Sequence, residues 1–118
     1  MKRYPGLTLR VLADGHAAMG PGKARLLEAI AQAGSISAAA REMGMSYRRA
    51  WMLVEEVNAS FAEPLVVAVA GGKRGGGAEV TAAGLDIVRR FLDMEAKASA
   101  AIAPDLRRFE KLVRRKAR

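Results

Sequence analysis

Apolar residues recur at spacings of three and four through most of this chain, which is the periodicity of amphipathic helices. Near the N-terminus, the stretch from Leu7 to Leu12 instead alternates apolar and polar residues and predicts a short strand. Glycine and proline then predict a loop up to Gly22. Three helices are predicted after this loop, from Lys23 to Gly34, from Ser35 to Gly44 and from Ser46 to Pro64.

The second half of the chain predicts a β-hairpin and a long helix. The apolar run from Leu65 to Ala70 is rich in valine, and Glu79–Thr81 is a plausible return strand across a glycine-rich tip. Thr81 is expected to cap a long helix, which Pro104 interrupts. Two adjacent apolar stripes mark this helix: Leu85, Val88, Leu92, Ala96 and Ser99 form one, and Ile87, Phe91, Met94, Ala98 and Ile102 form the other.

This order of elements is that of a winged helix-turn-helix, in which the third helix enters the DNA major groove. Ala39 and Ala40 let two helices approach closely, Gly44 allows the sharp turn, and Ser46 caps the third helix. We therefore predict a mainly α fold with a small β-hairpin wing. Residues 1–81 would form the winged helix-turn-helix, and residues 82–118 a dimerisation helix and basic tail of the same compact domain. Such patterns also occur in helical hairpins that bind nothing.

The charge balance points to a polyanionic partner. The 118 residues include 20 Lys and Arg against 12 Asp and Glu, which gives a formal net charge of +8. Excess cations on a small domain attract nucleic acid and accelerate association. The net charge alone fits a ribosomal-type or merely soluble basic protein equally well. The tail from Arg107 to Arg118 is especially basic.

The third helix begins with two cations where the helix dipole disfavours them. Arg48 and Arg49 fall in its first turn, at a cost of about 0.3 to 1 kcal/mol each. Because a folding rule broken without visible gain indicates function, we expect both guanidinium groups to touch guanine edges or phosphates. Tyr47 is either a third contact or part of the packing at the turn, and Met52 is expected to point outwards. The predicted DNA contacts are Ser46, Tyr47, Arg48, Arg49, Met52, Lys73 and Arg74.

Two further predictions concern the tryptophan of the third helix and the glycine-rich tip of the hairpin. Trp51 lies beside the inward position Ala50 and is expected mainly in the core, packed sideways against the first helix. The tip from Gly71 to Gly77 matches neither a P-loop nor a dinucleotide fingerprint. It predicts a flexible wing whose Lys73 and Arg74 approach phosphates or a minor groove, the alternatives being an ordinary loop or an oxyanion nest.

The long helix predicts a homodimer. Its two stripes together form an apolar face wider than packing onto a small three-helix domain requires, and a symmetric partner would cover the remainder. The residues expected at this dimer interface are Leu85, Val88, Phe91, Leu92 and Met94.

No enzymatic constellation is found. The chain has no cysteine and one histidine, His16, which is expected in a solvated loop, so neither a metal site nor a cofactor is predicted. No nucleophile or phosphate-binding loop accompanies the acidic residues, and we predict that the chain is not an enzyme. The absence of a long apolar run and of a signal peptide predicts a cytoplasmic protein without membrane contact.

The segments Ser35 to Trp51, Gly71 to Ala78 and Thr81 to Gly84 closely resemble the N-terminal DNA-binding domain of ModE-type molybdate-responsive regulators. A more distant similarity is to the winged domain of LysR-type regulators. The resemblance spans roughly Leu7 to Ala101 and implies a homodimeric transcriptional regulator that binds a palindromic operator on double-stranded DNA. Full-length members bind molybdate through C-terminal domains. Because this chain ends where those would begin, we expect a stand-alone DNA-binding member without its own small-molecule effector.

Two rival functions belong to other classes. The basic tail also suits non-specific binding of nucleic acid, including RNA. Alternatively, the chain keeps the fold as a protein-interaction adaptor that has lost affinity for DNA.

Overall fold

The computed structural model describes residues 6–70 and 76–114 of the chain. In these ranges it has four helices and two antiparallel strand pairs. The elements are β1 (Val11–Ala13), β2 (His16–Met19), α1 (Pro21–Ala33), α2 (Ile36–Met43), α3 (Tyr47–Ser60), β3 (Val66–Val69), β4 (Gly77–Val80) and α4 (Ala82–Glu110).

The first hairpin differs from the sequence prediction of one strand over residues 7–12 followed by a loop. The strand β1 starts at Val11, and the predicted loop contains β2. Asp14 and Gly15 join the two strands with φ angles of 52° and 80°. This left-handed pair suits the twist of a two-residue hairpin turn, which is why the chain reverses there. His16 is therefore an exposed strand residue and not a loop residue.

The helix boundaries around the turn follow the predicted caps. Gly34 and Gly44 end α1 and α2 with φ angles of 80° and 70°, a conformation that a side chain would strain. The hydroxyls of Ser35 and Ser46 accept the amides three residues later, at 3.1 and 3.0 Å. The start of α1 lies two residues earlier than predicted, because Pro21 occupies a first-turn position that needs no amide hydrogen.

The core surrounds α1. Leu26, Leu27 and Ile30 are at most 1% exposed, and β2, α2, α3, β3, β4 and α4 all contribute to the same cluster. No charged or polar residue is buried in the described part of the chain. The buried members are Met19, Ala24, Leu26, Leu27, Ile30, Ala39, Ala40, Ala50, Val54, Val57, Leu65, Val66, Ala78, Val80, Val88 and Phe91.

The second strand pair is the base of the wing. In it Val66 pairs with Val80 and Val69 pairs with Gly77. The Ala78 amide donates to Gly34 O at 2.9 Å and ties β4 to the end of α1. The position of the wing base is therefore set by the same turn that separates α1 from α2.

The long helix α4 continues through Pro104, contrary to the predicted interruption. Proline removes one hydrogen bond from a helix interior. Ile102 and Leu106, on either side, are partly buried along the side of α4 that carries Phe91, and Pro104 itself is exposed. A methyl group on Gly6 would lie 3.1 Å from Leu106 Cδ2, so the N-terminal segment packs against this part of the helix. We attribute the continuation of α4 to this packing.

The structure divides the residues predicted at the dimer interface. Val88 and Phe91 are 6% and 2% exposed and belong to the core of the chain itself, because they face α1 and the wing base. Phe91 therefore offers no free surface to a partner, which corrects its predicted place in the interface, whereas Val88 still lines the groove beside Leu85 and Leu92. Leu85, Leu92 and Met94 are 53%, 40% and 45% exposed.

At Gly84, α4 packs closely against Leu65, the residue before β3, and against Val80. A methyl group there would lie 2.4 Å from Leu65 O and 2.7 Å from Val80 Cγ1. We expect Gly84→Ala to lower the free energy of unfolding by about 1 to 3 kcal/mol, because this clash outweighs alanine's better helix propensity. Urea unfolding measures the difference.

Gly22→Ala is the matched control, since a methyl group at Gly22 in the first turn of α1 meets no atom within 4 Å. This control should leave stability unchanged or raise it by up to about 1 kcal/mol. Equal effects of the two variants would contradict close packing at Gly84.

Candidate nucleic-acid interface

The turn between α2 and α3 is short and held by backbone hydrogen bonds. The amides of Gly44 and Met45 donate to Arg41 O at 3.2 Å and to Ala40 O at 3.0 Å. Ala40 and Ala50 are 2% and 0% exposed, so small side chains lie where the two helices pack together. This arrangement fixes the direction in which α3 leaves the turn.

One face of α3 is buried and the opposite face is free. The residues Ala50, Val54 and Val57, at spacings of four and three, fill the inward face. Arg48 and Met52 lie on the opposite face and are exposed, Met52 at 45%. The predicted outward direction of Met52 is confirmed.

The start of α3 carries the two predicted arginines. Arg48 and Arg49 are exposed, and neither forms an ion pair with any residue in the described ranges. Tyr47 beside them is 55% exposed and so is not packed away at the turn. The Ser46 hydroxyl oxygen accepts a hydrogen bond from the Arg49 amide. The structure thus brings four of the predicted contacts, Ser46 to Arg49, to one exposed helix end.

Trp51 departs from the prediction of a core position. It is 45% exposed, because Ala50, Val54 and Val57 already occupy the inward face and the next residue along a helix is rotated by about 100°. Its ring therefore adds to the free surface next to Met52.

Sequence reasoning missed Asn58, which connects α3 to the wing. Its Oδ1 accepts the amides of Leu65 at 2.8 Å and Val66 at 3.1 Å, and its Nδ2 donates to Val66 O at 2.9 Å. The wing base is thereby fixed relative to α3. The available signal was an amide side chain directly after the inward residue Val57, shortly before a strand.

Lys23 makes the corresponding link on the other side of α3. Its Nζ donates to Ala17 O at 2.6 Å and pairs with Glu56 Oε1 at 3.2 Å, and its side chain is only 13% exposed. It borders a cleft of about 480 Å³ between the first hairpin and α3. Because its bonds go to the protein itself, we interpret Lys23 as a residue that positions α3.

Four cations of α4 form ion pairs with carboxylates of the same helix. Asp86 accepts hydrogen bonds from Arg89 and from Arg90, the latter at 2.7 Å. The hydrogen bond from Arg90 lowers the pKa of Asp86 below its usual value, against the opposing effect of desolvation. Lys97 and Arg108 likewise pair with Asp93 and Asp105. These pairs neutralise charge within α4, whereas the described residues offer Arg48 and Arg49 of α3 no such partner.

Lys73 and Arg74, the predicted wing contacts, lie outside the described residues. The described part of the chain holds no cluster of three or more histidines and carboxylates suited to a metal ion. Within the same ranges, no helix has the length and hydropathy needed to cross a membrane.

The α2–turn–α3 unit, followed by the β3–β4 hairpin and α4, defines a winged helix-turn-helix protein, as predicted. A family model described as bacterial regulatory helix-turn-helix protein, lysR family, matches residues 22–85, and the chain belongs to this family. The first hairpin lies outside the matched range.

Curated relatives confirm the predicted similarity to ModE-type regulators. The chain is 46% identical to the molybdenum-pterin-binding protein MopB of Rhodobacter capsulatus over 95 residues, which are 80% of the chain and 34% of MopB. It is 44% identical to the molybdenum transport protein ModE of Azotobacter vinelandii over 78 residues, 66% of the chain and 29% of ModE. The chain thus spans about a third of the length of these relatives.

Solved structures agree on the fold. The crystal structure of the CbnR_DBD–DNA complex superposes with a TM-score of 0.55 at 24% identity, over 71% of this chain and 94% of that one. ArgP from Mycobacterium tuberculosis gives a TM-score of 0.51 at 24% identity, over 74% of this chain and 30% of ArgP.

We expect Asn58→Ala to lower the free energy of unfolding by about 1 to 3 kcal/mol, because the nearly buried amides of Leu65 and Val66 lose their acceptor. Thermal unfolding measures this effect. Ser60→Ala is the control, since its hydroxyl bonds only to Glu56 O of the same helix, and it should change stability by less than about 0.5 kcal/mol. Similar losses in both variants would show that Asn58 does not anchor the wing.

Proposed function

We propose that this chain is the DNA-binding part of a transcriptional regulator and that the first half of α3 enters the major groove. The observation that carries the proposal is the pair of exposed arginines at the start of α3, which form no ion pair with any residue of 6–70 or 76–114. Family membership supports it, as does a relative described as the DNA-binding transcriptional dual regulator ModE of Escherichia coli. The major groove is wide enough for a helix and presents guanine acceptors that arginine recognises.

The charges along α3 give the direction of entry. Arg48 and Arg49 stand at its start, whereas Glu55 and Glu56 are exposed two turns later. Phosphates attract the two arginines and repel the Glu55 carboxylate, whereas Glu56 is paired with Lys23. The start of α3 therefore points at the base edges, and its later turns leave the groove.

The proposal extends to the wing on sequence grounds. Asn58 and the β3–β4 pair hold the wing base beside α3, and the tip between the strands contains Lys73 and Arg74. Two cations next to a groove-bound helix suit phosphate contacts, which position a protein without specifying sequence.

We further propose that two copies pair through α4 and bind the two halves of a palindromic site. Leu85 and Leu92, seven residues apart on one flank of α4, border an apolar groove of about 260 Å³ that reaches Leu27 and Val80. Met94 lies two residues after Leu92, about 200° around the helix, so one straight helix pair covers only one of these flanks. The groove favours the flank of Leu85 and Leu92. A two-fold pair of recognition helices then addresses a symmetric operator.

Arg48→Ala and Arg49→Ala should each weaken binding to a selected operator duplex by about 1 to 3 kcal/mol, because each removes a groove contact of the helix start. Titration of labelled duplex at fixed salt measures the affinities. The thermal stability of both variants should stay close to that of the parent, since both side chains are exposed.

Arg90→Ala is the matched control, because it removes the same charge from an exposed site on α4. Operator binding as tight as the parent's in both α3 variants would contradict the assigned groove contact.

Competition by duplex RNA at the same level as DNA would instead favour the RNA alternative, since the deep RNA major groove does not admit a helix. Failure to bind any nucleic acid would favour the adaptor alternative.

Leu85→Glu with Leu92→Glu should convert a dimer into a folded monomer, because two carboxylates on the exposed flank repel their symmetry mates. Sedimentation at micromolar protein gives the mass. The control replaces exposed Ala101, on the far side of α4, by glutamate and should leave the dimer intact. A monomeric parent would contradict the pairing.

A further inference from the structure

The recognition helix carries an apolar surface that the arginine contacts do not explain. Trp51 and Met52 are each 45% exposed, although the core beneath them is complete without either side chain. Resting on the proposed function, we infer that Trp51 and Met52 read the 5-methyl groups of thymines in the major groove, beside the base that Arg48 contacts.

The positions of these side chains follow from the helix repeat. Trp51 lies four residues after Tyr47, and Met52 lies four residues after Arg48, so two neighbouring rows run side by side along the free surface of α3. The apolar pair is one turn further along the helix than the guanidinium, an axial distance of about 4.5 to 6 Å. This distance corresponds to about one or two base-pair steps of 3.4 Å.

The row of Tyr47 and Trp51 faces the wing. Asn58, seven residues after Trp51 and therefore on the same side of α3, bonds to the start of β3. Arg49 lies on the other side, in line with Glu56, which pairs with Lys23. The apolar pair is thus placed between the outward centre of α3 and the wing, where a groove-bound helix faces base edges.

The chemistry of the DNA major groove indicates which base group Trp51 and Met52 contact. Of the four bases, thymine alone presents a methyl group there, and apolar side chains pair with it. The flexible thioether of Met52 adapts to such a group, and the indole of Trp51 offers a broad apolar ring. Arg48 beside this surface and Arg49 on the far flank form no ion pair with the described residues. Their charges complement the phosphates of DNA, which favours DNA over an apolar protein partner.

The test uses the full chain and a duplex enriched from a random pool by binding to it. Each thymine of this duplex is replaced in turn by deoxyuridine, which removes only the methyl group. One or two positions in each half-site should lose about fourfold in affinity, the factor that follows from burying one methyl-sized group.

Guanine positions locate Arg48 independently. A guanine whose 7-deaza analogue weakens the parent but not Arg48→Ala marks its contact. The methyl-sensitive thymines should lie about one or two base pairs from that guanine.

The deoxyuridine duplexes are then measured against Trp51→Ala and Met52→Ala, which forms a double-mutant cycle between each side chain and each methyl group. At the sensitive positions, the loss caused by deoxyuridine should shrink in at least one of these variants and persist in Leu12→Ala, a control with an exposed apolar side chain on β1. An equal loss in all proteins, or no loss at any thymine in the parent, would overturn the inference while the proposed function stands. Absence of salt-sensitive binding to any duplex would overturn both.

Discussion

The burial of one narrow face of α3 is the interaction on which the rest of the site depends. Ala50, Val54 and Val57 occupy that face, and α1 and α2 pack around it. Because the face is narrow and its first residue is an alanine, the helix sits close to its neighbours and leaves more than half of its circumference free. The contacts proposed for Tyr47, Arg48, Arg49, Trp51 and Met52 all lie on that free part.

A few polar groups orient this helix within the fold. The Ser46 hydroxyl ends the turn, Asn58 ties the last turns of α3 to β3, and Lys23 ties its opposite side to β2. Ser46 and Asn58 bond to backbone atoms, and Lys23 joins Ala17 O of β2 to the Glu56 carboxylate of α3. A helix held at both flanks presents its side chains to a partner without the entropy cost of ordering a mobile one.

The function proposed here joins features that stability alone does not explain. Cations at a helix start oppose the dipole, and half-exposed tryptophan and methionine side chains leave apolar area in water. Both departures occur in the same two turns of α3, next to a hairpin whose tip is basic. Contact with DNA accounts for the cations of α3, for its exposed apolar side chains and for the basic tip. It supplies phosphates for the cations and methyl groups for the apolar side chains.

The sequence by itself determined the local features of this protein. Glycines ended α1 and α2, hydroxyls capped α2, α3 and α4, and Ala50 was identified as an inward residue of α3, because each depends only on neighbours along the chain. Tertiary structure decided the remainder. Trp51 is free because other residues fill the core, α4 passes Pro104 because it packs on both sides of it, and Val88 and Phe91 are buried within one chain. Such outcomes depend on which surfaces meet, and periodicity identifies an apolar face without naming what covers it.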